Sequence, residues 1–405
     1  MAAIADRTPP QAAIPVLDLD PFAPAFFDDP YPGHALVRET APVVRLAGLG
    51  CLAVGRHAEI HAMLLDWESF CSSRGVGVRD YKTDPPLRGP SLVLETDPPL
   101  HTHRRAVLSN VLSAAALRAL RPRFAEAAEA LADRLVGAGV CDGIADIAEA
   151  YPLTVFPDAL GMGRAGRDCL LPYGNFVFNS MGPANALLEA SLAELPPLNA
   201  WVTRQSQRDA LAPGGFGAAI HEAADRGEIA PEEAPLLVRA LLSAGVDTTV
   251  NGIGAALFCL ARHPEQWARL RADPGLARGA FEEAVRYESP VQTFFRTTAR
   301  DVVLGGVAIP AGQKILMFLA AANRDPRRWE DPDRFDITRN ASGHVGFGAG
   351  IHMCVGQVLA RMEGEAVLGA LARRVARVEP AGEPVRRHNN TLRGLRSLPL
   401  RLVAG

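Results

Sequence analysis

The ten residues Phe347-Gly348-Ala349-Gly350-Ile351-His352-Met353-Cys354-Val355-Gly356 constrain this 405-residue chain more than any other stretch. A cysteine follows a glycine-rich loop and stands just before an apolar helical pattern over residues 357–375. Backbone N–H groups at a helix start stabilise negative sulfur, so the position favours a thiolate over a thiol. The glycines let backbone lie against a flat partner that side chains would strike. Cys51, Cys71, Cys141, Cys169 and Cys259 have no such setting and read as small buried hydrophobes. With no CxxC pair and no regular spacing, a disulfide framework is not expected.

Apolar residues recur at helical spacing over residues 103–112, 114–136, 232–262, 265–272, 276–287 and 357–375. Short apolar clusters predict strands at 42–46, 51–54, 314–318 and 397–403. Gly305-Gly306 predicts a tight hairpin between 302–304 and 307–309. No repeat or linker divides the chain. The expected fold is therefore mainly α with small β-sheets, a single domain over residues 1–405 whose first 16 form a flexible arm. That arm lacks a basic-then-apolar pattern, so no signal peptide is expected and a reducing cytoplasm is the simplest compartment. A net charge of −3 gives no reason to expect nucleic acid. Residues 236–260 are apolar enough to raise the membrane question, but Arg239, Asp247, Thr248, Thr249 and Asn251 interrupt them. A buried helix carrying polar function is expected instead.

The Cys354 segment resembles the haem-binding signature of the cytochrome P-450 superfamily of haem-thiolate monooxygenases, and the resemblance extends over nearly the whole chain. It implies that superfamily's fold, with haem b (iron protoporphyrin IX) between a long distal helix and a cysteine-bearing proximal one. Cys354 would be the axial thiolate, which donates electron density to iron and favours O–O cleavage. Phe347, Gly348 and Gly356 would belong to the haem loop. Glu283 and Arg286, three apart and so on one helix face, match the family's glutamate-x-x-arginine pair, with residues 323–326 and 331–335 as the meander it ties down. Without the resemblance they would read as a surface ion pair. His101 and Arg105, in Asp97-Pro98-Pro99-Leu100-His101-Thr102-His103-Arg104-Arg105, match propionate-binding positions, as do Arg296 and His352. His103 stands where many relatives carry arginine.

Ser243-Ala244-Gly245-Val246-Asp247-Thr248-Thr249 places an acid beside an alcohol in an apolar helix, a costly arrangement unless it serves chemistry. The resemblance makes Asp247 and Thr248 the acid–alcohol pair that delivers protons during O2 activation. Gly245 is expected to let the helix open locally.

Ser243 lies five residues before Thr248, about 7.5 Å along a helix axis, comparable to a benzoate measured from carboxylate to para substituent. Arg239, Ser243 and Asp247, spaced by four, are expected along one side. Arg88 and Ser91 supply donors suited to a carboxylate. The chain is further similar to bacterial members of the family that oxidise para-substituted benzoates, including 4-methoxybenzoate O-demethylation. That likeness makes Arg88, Ser91, Arg239 and Ser243 the carboxylate-steering residues. Leu94, Phe178, Met181, Ala244, Val291, Phe294 and Leu392 would line the ring. Ala240 stands where the group has serine, and Met181 where it has phenylalanine.

The implied partners are O2, a small aromatic carboxylate, and a ferredoxin reduced by a flavoprotein ferredoxin reductase. The ferredoxin is expected to dock near Cys354 with help from Arg361, Arg373 and Arg374. The alternatives are a hydroxylase of a terpenoid or another aromatic acid, and a haem sensor or carrier without turnover. Asp247 and Thr248 argue against the last, because a sensor needs no proton relay.

Overall fold

Helical apolar stripes become helices stacked around one large core, as described for residues 13–405 by a computed structural model. Ala114–Ala138 begins where Ser113 accepts a hydrogen bond from the Ala116 amide and ends at Gly139, where φ is +73°. It packs against the proximal helix Gln357–Ala372, which in turn packs on Ala277–Glu288. Phe281 sits between these layers. A Cβ at Gly364 would collide with its ring, and one at Gly252 would lie 3.1 Å from it. Glycine at 252 and 364 therefore lets the distal and proximal helices close on one aromatic side chain.

A six-stranded sheet flanks the helices, in the order Val16–Leu17, Val44–Leu46, Leu52–Val54, Lys314–Phe318, Thr293–Thr298 and Phe70–Cys71. Its register pairs Leu52 with Ile315 and Phe294 with Met317, so Ile315 and Met317 join the second apolar cluster beneath the sheet. Val375–Pro380, Pro399–Ala404 and Val140–Asp142 make a smaller sheet. The Gly305-Gly306 hairpin forms between Val302–Leu304 and Val307–Ile309.

Several expectations are corrected. The distal helix is two pieces, Ala234–Ala244 and Asp247–Arg262. The Thr248 and Thr249 hydroxyls donate to the carbonyls of Ala244 and Gly245, at 2.8 and 3.2 Å, and divert them from the helical ladder. The C-terminal strand over 397–403 is two strands parted at Leu398. Residues 1–12 of the expected arm lie outside the described residues, whereas Val16 is held in a strand opposite Arg45. Helices Leu170–Asn179 and Ala186–Gln205 carried no clean signal, the second because Pro196 and Pro197 lie inside it. Pro231–Arg262 meets the length and hydropathy test for a membrane span, yet 78% of its most apolar window is covered by the rest of the protein. It is a core helix.

Candidate active site

The cysteine loop closes on itself before the proximal helix begins. The Cys354 amide donates to the Phe347 carbonyl at 2.8 Å, and Gly348 donates to Val345 at 2.9 Å. Gly350 has φ +66°, and a Cβ there would strike the Leu64 carbonyl, so only glycine fits the bend. Burial pushes the Cys354 thiol up, while the Gly356 and Gln357 amides, Arg105 and Arg361 pull it down. These donors and cations are the groups that stabilise a bound thiolate once a metal replaces the proton.

Four further groups gather near that loop. The His101 and His352 rings stand 4.5 Å apart, edge to face. His101 Nε2 and both ring nitrogens of His352 are buried without a hydrogen-bond partner; the nearest acid, Asp97, is 3.8 Å from His352. Arg105 has no hydrogen-bond or ion-pair partner among the described residues. Arg296, 3% exposed, donates only to its neighbour's carbonyl, that of Phe295. Burial lowers the pKa of each, His101 to about 4 and Arg296 to about 10; Arg105 pulls both histidines down further. Unpaired buried cations and orphaned imidazoles together are unfavourable unless an anion joins them. The two carboxylates of a haem meet that requirement, so the residues present fit the group.

Glu283 and Arg286 are fully buried, unlike the surface ion pair their spacing alone would suggest. Arg286 donates to both Glu283 oxygens, at 2.7 and 2.8 Å, and to the carbonyls of Asn323, Pro332 and Arg334. Glu283 also accepts from the Asp336 amide and Arg339. One side-chain pair thus ties the Ala277–Glu288 helix to the meander that leads to the cysteine loop.

At the distal break Ala244 and Thr248 are accessible, whereas Asp247 is 5% exposed. Asp247 turns toward the Leu170–Asn179 helix, where a Cβ on Gly174 would come within 2.7 Å of its Oδ2. It therefore does not share one open side with Arg239 and Ser243; the break rotates it inward. Burial pushes its carboxyl up to about 7, against the pull of Arg387 and with the push of Glu149. A carboxyl half protonated near neutrality suits proton transfer. Thr248→Ala is expected to keep haem but divert most reducing equivalents to peroxide, read as product formed per electron pair consumed.

The expected ring-lining residues come from segments far apart in sequence that backbone contacts tie to the main core. The Thr391 hydroxyl donates to the Phe178 carbonyl at 2.9 Å, and Val291 pairs with Leu392 in an isolated bridge. The Val78 amide donates to the Met181 carbonyl at 2.8 Å. Leu94 and Phe294 pack on the same cluster. The anion donors need revision. Arg88 is paired with buried Glu95 at 3.0 Å, so its charge is already met, whereas the Ser91 hydroxyl accepts from the Leu94 amide and keeps its own proton to donate. Arg239 is half-buried beside Gly89 and has no hydrogen-bond or ion-pair partner among the described residues. The Ser243 hydroxyl, one turn on, donates to the Ala240 carbonyl at 3.1 Å. Sequence reasoning missed Glu95 and Asp97, because nothing local marks the residue a distant cation will meet.

The arginines expected to attract a ferredoxin are already neutralised. Arg361 pairs with Glu282 and lies 4.3 Å above the Phe347 ring; Arg373 pairs with Glu129, and Arg374 with Glu129 and Asp133. Next to Cys354 the exposed side chains are apolar instead, Met353 and Val358.

A cysteine held at a helix start, a cluster awaiting two carboxylates and a distal helix opened beside an acid and an alcohol define a haem-thiolate oxygenase. The cytochrome P450 family profile matches residues 218–399. Cytochrome P450 CYP199A2 of Rhodopseudomonas palustris is 62% identical over 399 residues, covering 98% of this chain and 97% of its own. Cytochrome P450 107B1 of Saccharopolyspora erythraea is 38% identical over 404 residues, covering 95% and 98%. Among solved structures, cytochrome P450 CREJ in complex with (4-ethylphenyl) dihydrogen phosphate superposes with a TM-score of 0.85 at 25% identity, covering 95% and 98%. This chain belongs to the cytochrome P450 family: it is a monooxygenase whose haem is bound through the Cys354 thiolate.

Proposed function

We propose that the substrate is a small aromatic carboxylic acid, oxidised at its para substituent, with O-demethylation of 4-methoxybenzoate as the reference reaction. The single observation that carries this reading is Arg239, a half-buried guanidinium with no protein anion, one turn from Ser243 on the helix that presents Ala244 and Thr248. A cation left unpaired at a pocket edge favours an anionic ligand. Arg88 assists in a different way from a free donor. It is held by Glu95 and Ser180, and both it and Arg239 act on buried Tyr173, so the local potential stays positive. The para-ethylphenyl phosphate bound by the structural relative CREJ is likewise an aryl anion with a para substituent.

In this reading Arg239 fixes the carboxylate end and the Ser243 hydroxyl turns from the Ala240 carbonyl to donate to it, while Phe178, Met181, Val291, Phe294 and Leu392 exclude water around the ring. Haem, when bound, supplies the oxidising chemistry from O2 and two electrons. Asp247 gives up a proton and Thr248 orients it toward the distal pocket. Electrons come from a small iron–sulfur ferredoxin reduced by a flavoprotein, docking over the apolar surface at Met353 and Val358.

The test is a spectral titration of the ferric holoenzyme. 4-Methoxybenzoate is expected to shift the Soret band toward high spin, and its neutral amide to bind at least about tenfold more weakly, as loss of a charge-assisted contact implies. Equal affinity for the two removes the carboxylate claim.

A further inference from the structure

Where Asp247 meets the Leu170–Asn179 helix, the protein keeps a small polar cavity. Asn175, Asp247, Asn251, Arg387, Asn389 and Gly394 line it together with the apolar Leu392, and its size is on the order of a single water. The Asp247 carboxyl makes no hydrogen bond to any other described residue. The walls are fixed: Asn389 donates to Asn175 Oδ1 at 2.9 Å, and Gly394 backbone lies against the Asn251 side chain. A second cavity shares Arg387, Asn389 and Gly394 and continues toward the N-terminal segment at Phe27.

Two charged groups act on Asp247 here, Arg387 from strand Val385–Arg387 and Glu149 from helix Gly143–Glu149. The other elements at the cavity bring Gly174, Asn175, Asn251, Asn389, Leu392 and Gly394, none of them charged. Arg387 Nη2 donates to Glu149 Oε1 at 2.8 Å, and the Arg387 side chain is 28% exposed. It is thus the cavity wall that also reaches solvent.

We propose that Arg387, braced by Glu149, is a positioning residue for proton supply, linking Asp247 to solvent through this cavity. The inference deepens the role given to Asp247 above and rests on it. The O–H bond of the Asp247 carboxyl breaks toward Thr248 and leaves a carboxylate facing the cavity. A water there returns a proton to the carboxylate and is itself made whole from solvent past Arg387. One proton moves inward per pass of the relay, two passes match the two electrons spent on each O2, and no electron changes hands within the relay itself. Arg387 stabilises the transient carboxylate, and Glu149 keeps that stabilisation small enough for the proton to be regained. The near-neutral carboxyl described above is consistent with that balance.

The test is an infrared pH titration of the buried carboxyl band in the ferric holoenzyme, with Asp247→Asn assigning the band. Arg387→Gln is expected to raise the midpoint by about 0.5–1 pH unit, and Glu149→Gln to lower it by a similar amount. Arg387→Lys should stay near the parent value. Because the carboxyl must be protonated to act, the alkaline limb of coupled turnover should move the same way in each variant. Midpoints that stay put, or move together in one direction, overturn the proposal and leave the role of Asp247 standing. Midpoints that separate while the alkaline limb stays fixed overturn both. Should Arg387→Gln fail to fold, Glu149→Gln carries the test through its opposite sign.

Discussion

Replacing Cys354 by serine is expected to abolish monooxygenase turnover and the red-shifted absorption of the reduced, carbon monoxide-bound protein, while haem is still taken up. Serine keeps the size of the side chain and the loop that holds it. Its hydroxyl, however, stays protonated where the thiol would ionise toward iron, so the electron donation that distinguishes thiolate ligation is lost. Retention of haem follows from the geometry. His101, Arg105 and Arg296, the expected propionate partners, come from other segments and remain when the sulfur is changed; only His352 shares the cysteine loop. No other cysteine can substitute. Cys259 is buried within a helix and Cys71 on a strand, and burial raises the pKa of both thiols. Haem content by pyridine extraction, alongside the carbon monoxide spectrum, separates loss of ligation from loss of binding. A serine variant that keeps the red-shifted band would remove Cys354 from the iron.

Glu283→Gln is expected to destabilise the folded protein by about 3–5 kcal/mol, because it leaves a buried arginine without its counter-charge. That is a large part of the roughly 5–15 kcal/mol that holds an ordinary domain together. The loss falls on the meander, since Arg286 also carries the carbonyls of Asn323, Pro332 and Arg334. Arg286→Lys should rescue little. One ammonium cannot meet two carboxylate oxygens and three carbonyls spread around a planar fork. Urea unfolding with haem retention as a second signal checks both variants. A Lys variant as stable as the parent would show that charge alone, without the fork, suffices.

Much of this site was legible because its chemistry is local. The cysteine loop, the acid–alcohol pair and the glutamate-x-x-arginine spacing each occupy fewer than a dozen consecutive residues, and the Gly305-Gly306 turn announces its hairpin in the same way. Helix positions were readable wherever apolar spacing was clean. They were lost at Ala186–Gln205, where two internal prolines contradict a helix that packing against Leu170–Asn179 nonetheless maintains. Even the break at Gly245 was foreshadowed, although its cause, two threonine hydroxyls capturing carbonyls, depends on side-chain direction.

Charge partners were another matter. Arg88 looked like an open donor until Glu95 claimed it, Arg361 like a docking cation until Glu282 did, and Arg239 emerged as the unpaired one. The amino-acid order is enough to say that this chain holds a thiolate against haem and sets an acid beside an alcohol in its distal helix, since both are encoded in short contiguous runs. Which arginine keeps a free charge, and which polar wall faces Asp247, follow from folding alone. Ion pairs form between residues up to hundreds of positions apart, such as Asp247's neighbours Glu149 and Arg387, and a Coulomb contact of a few ångströms leaves no periodic trace along the chain.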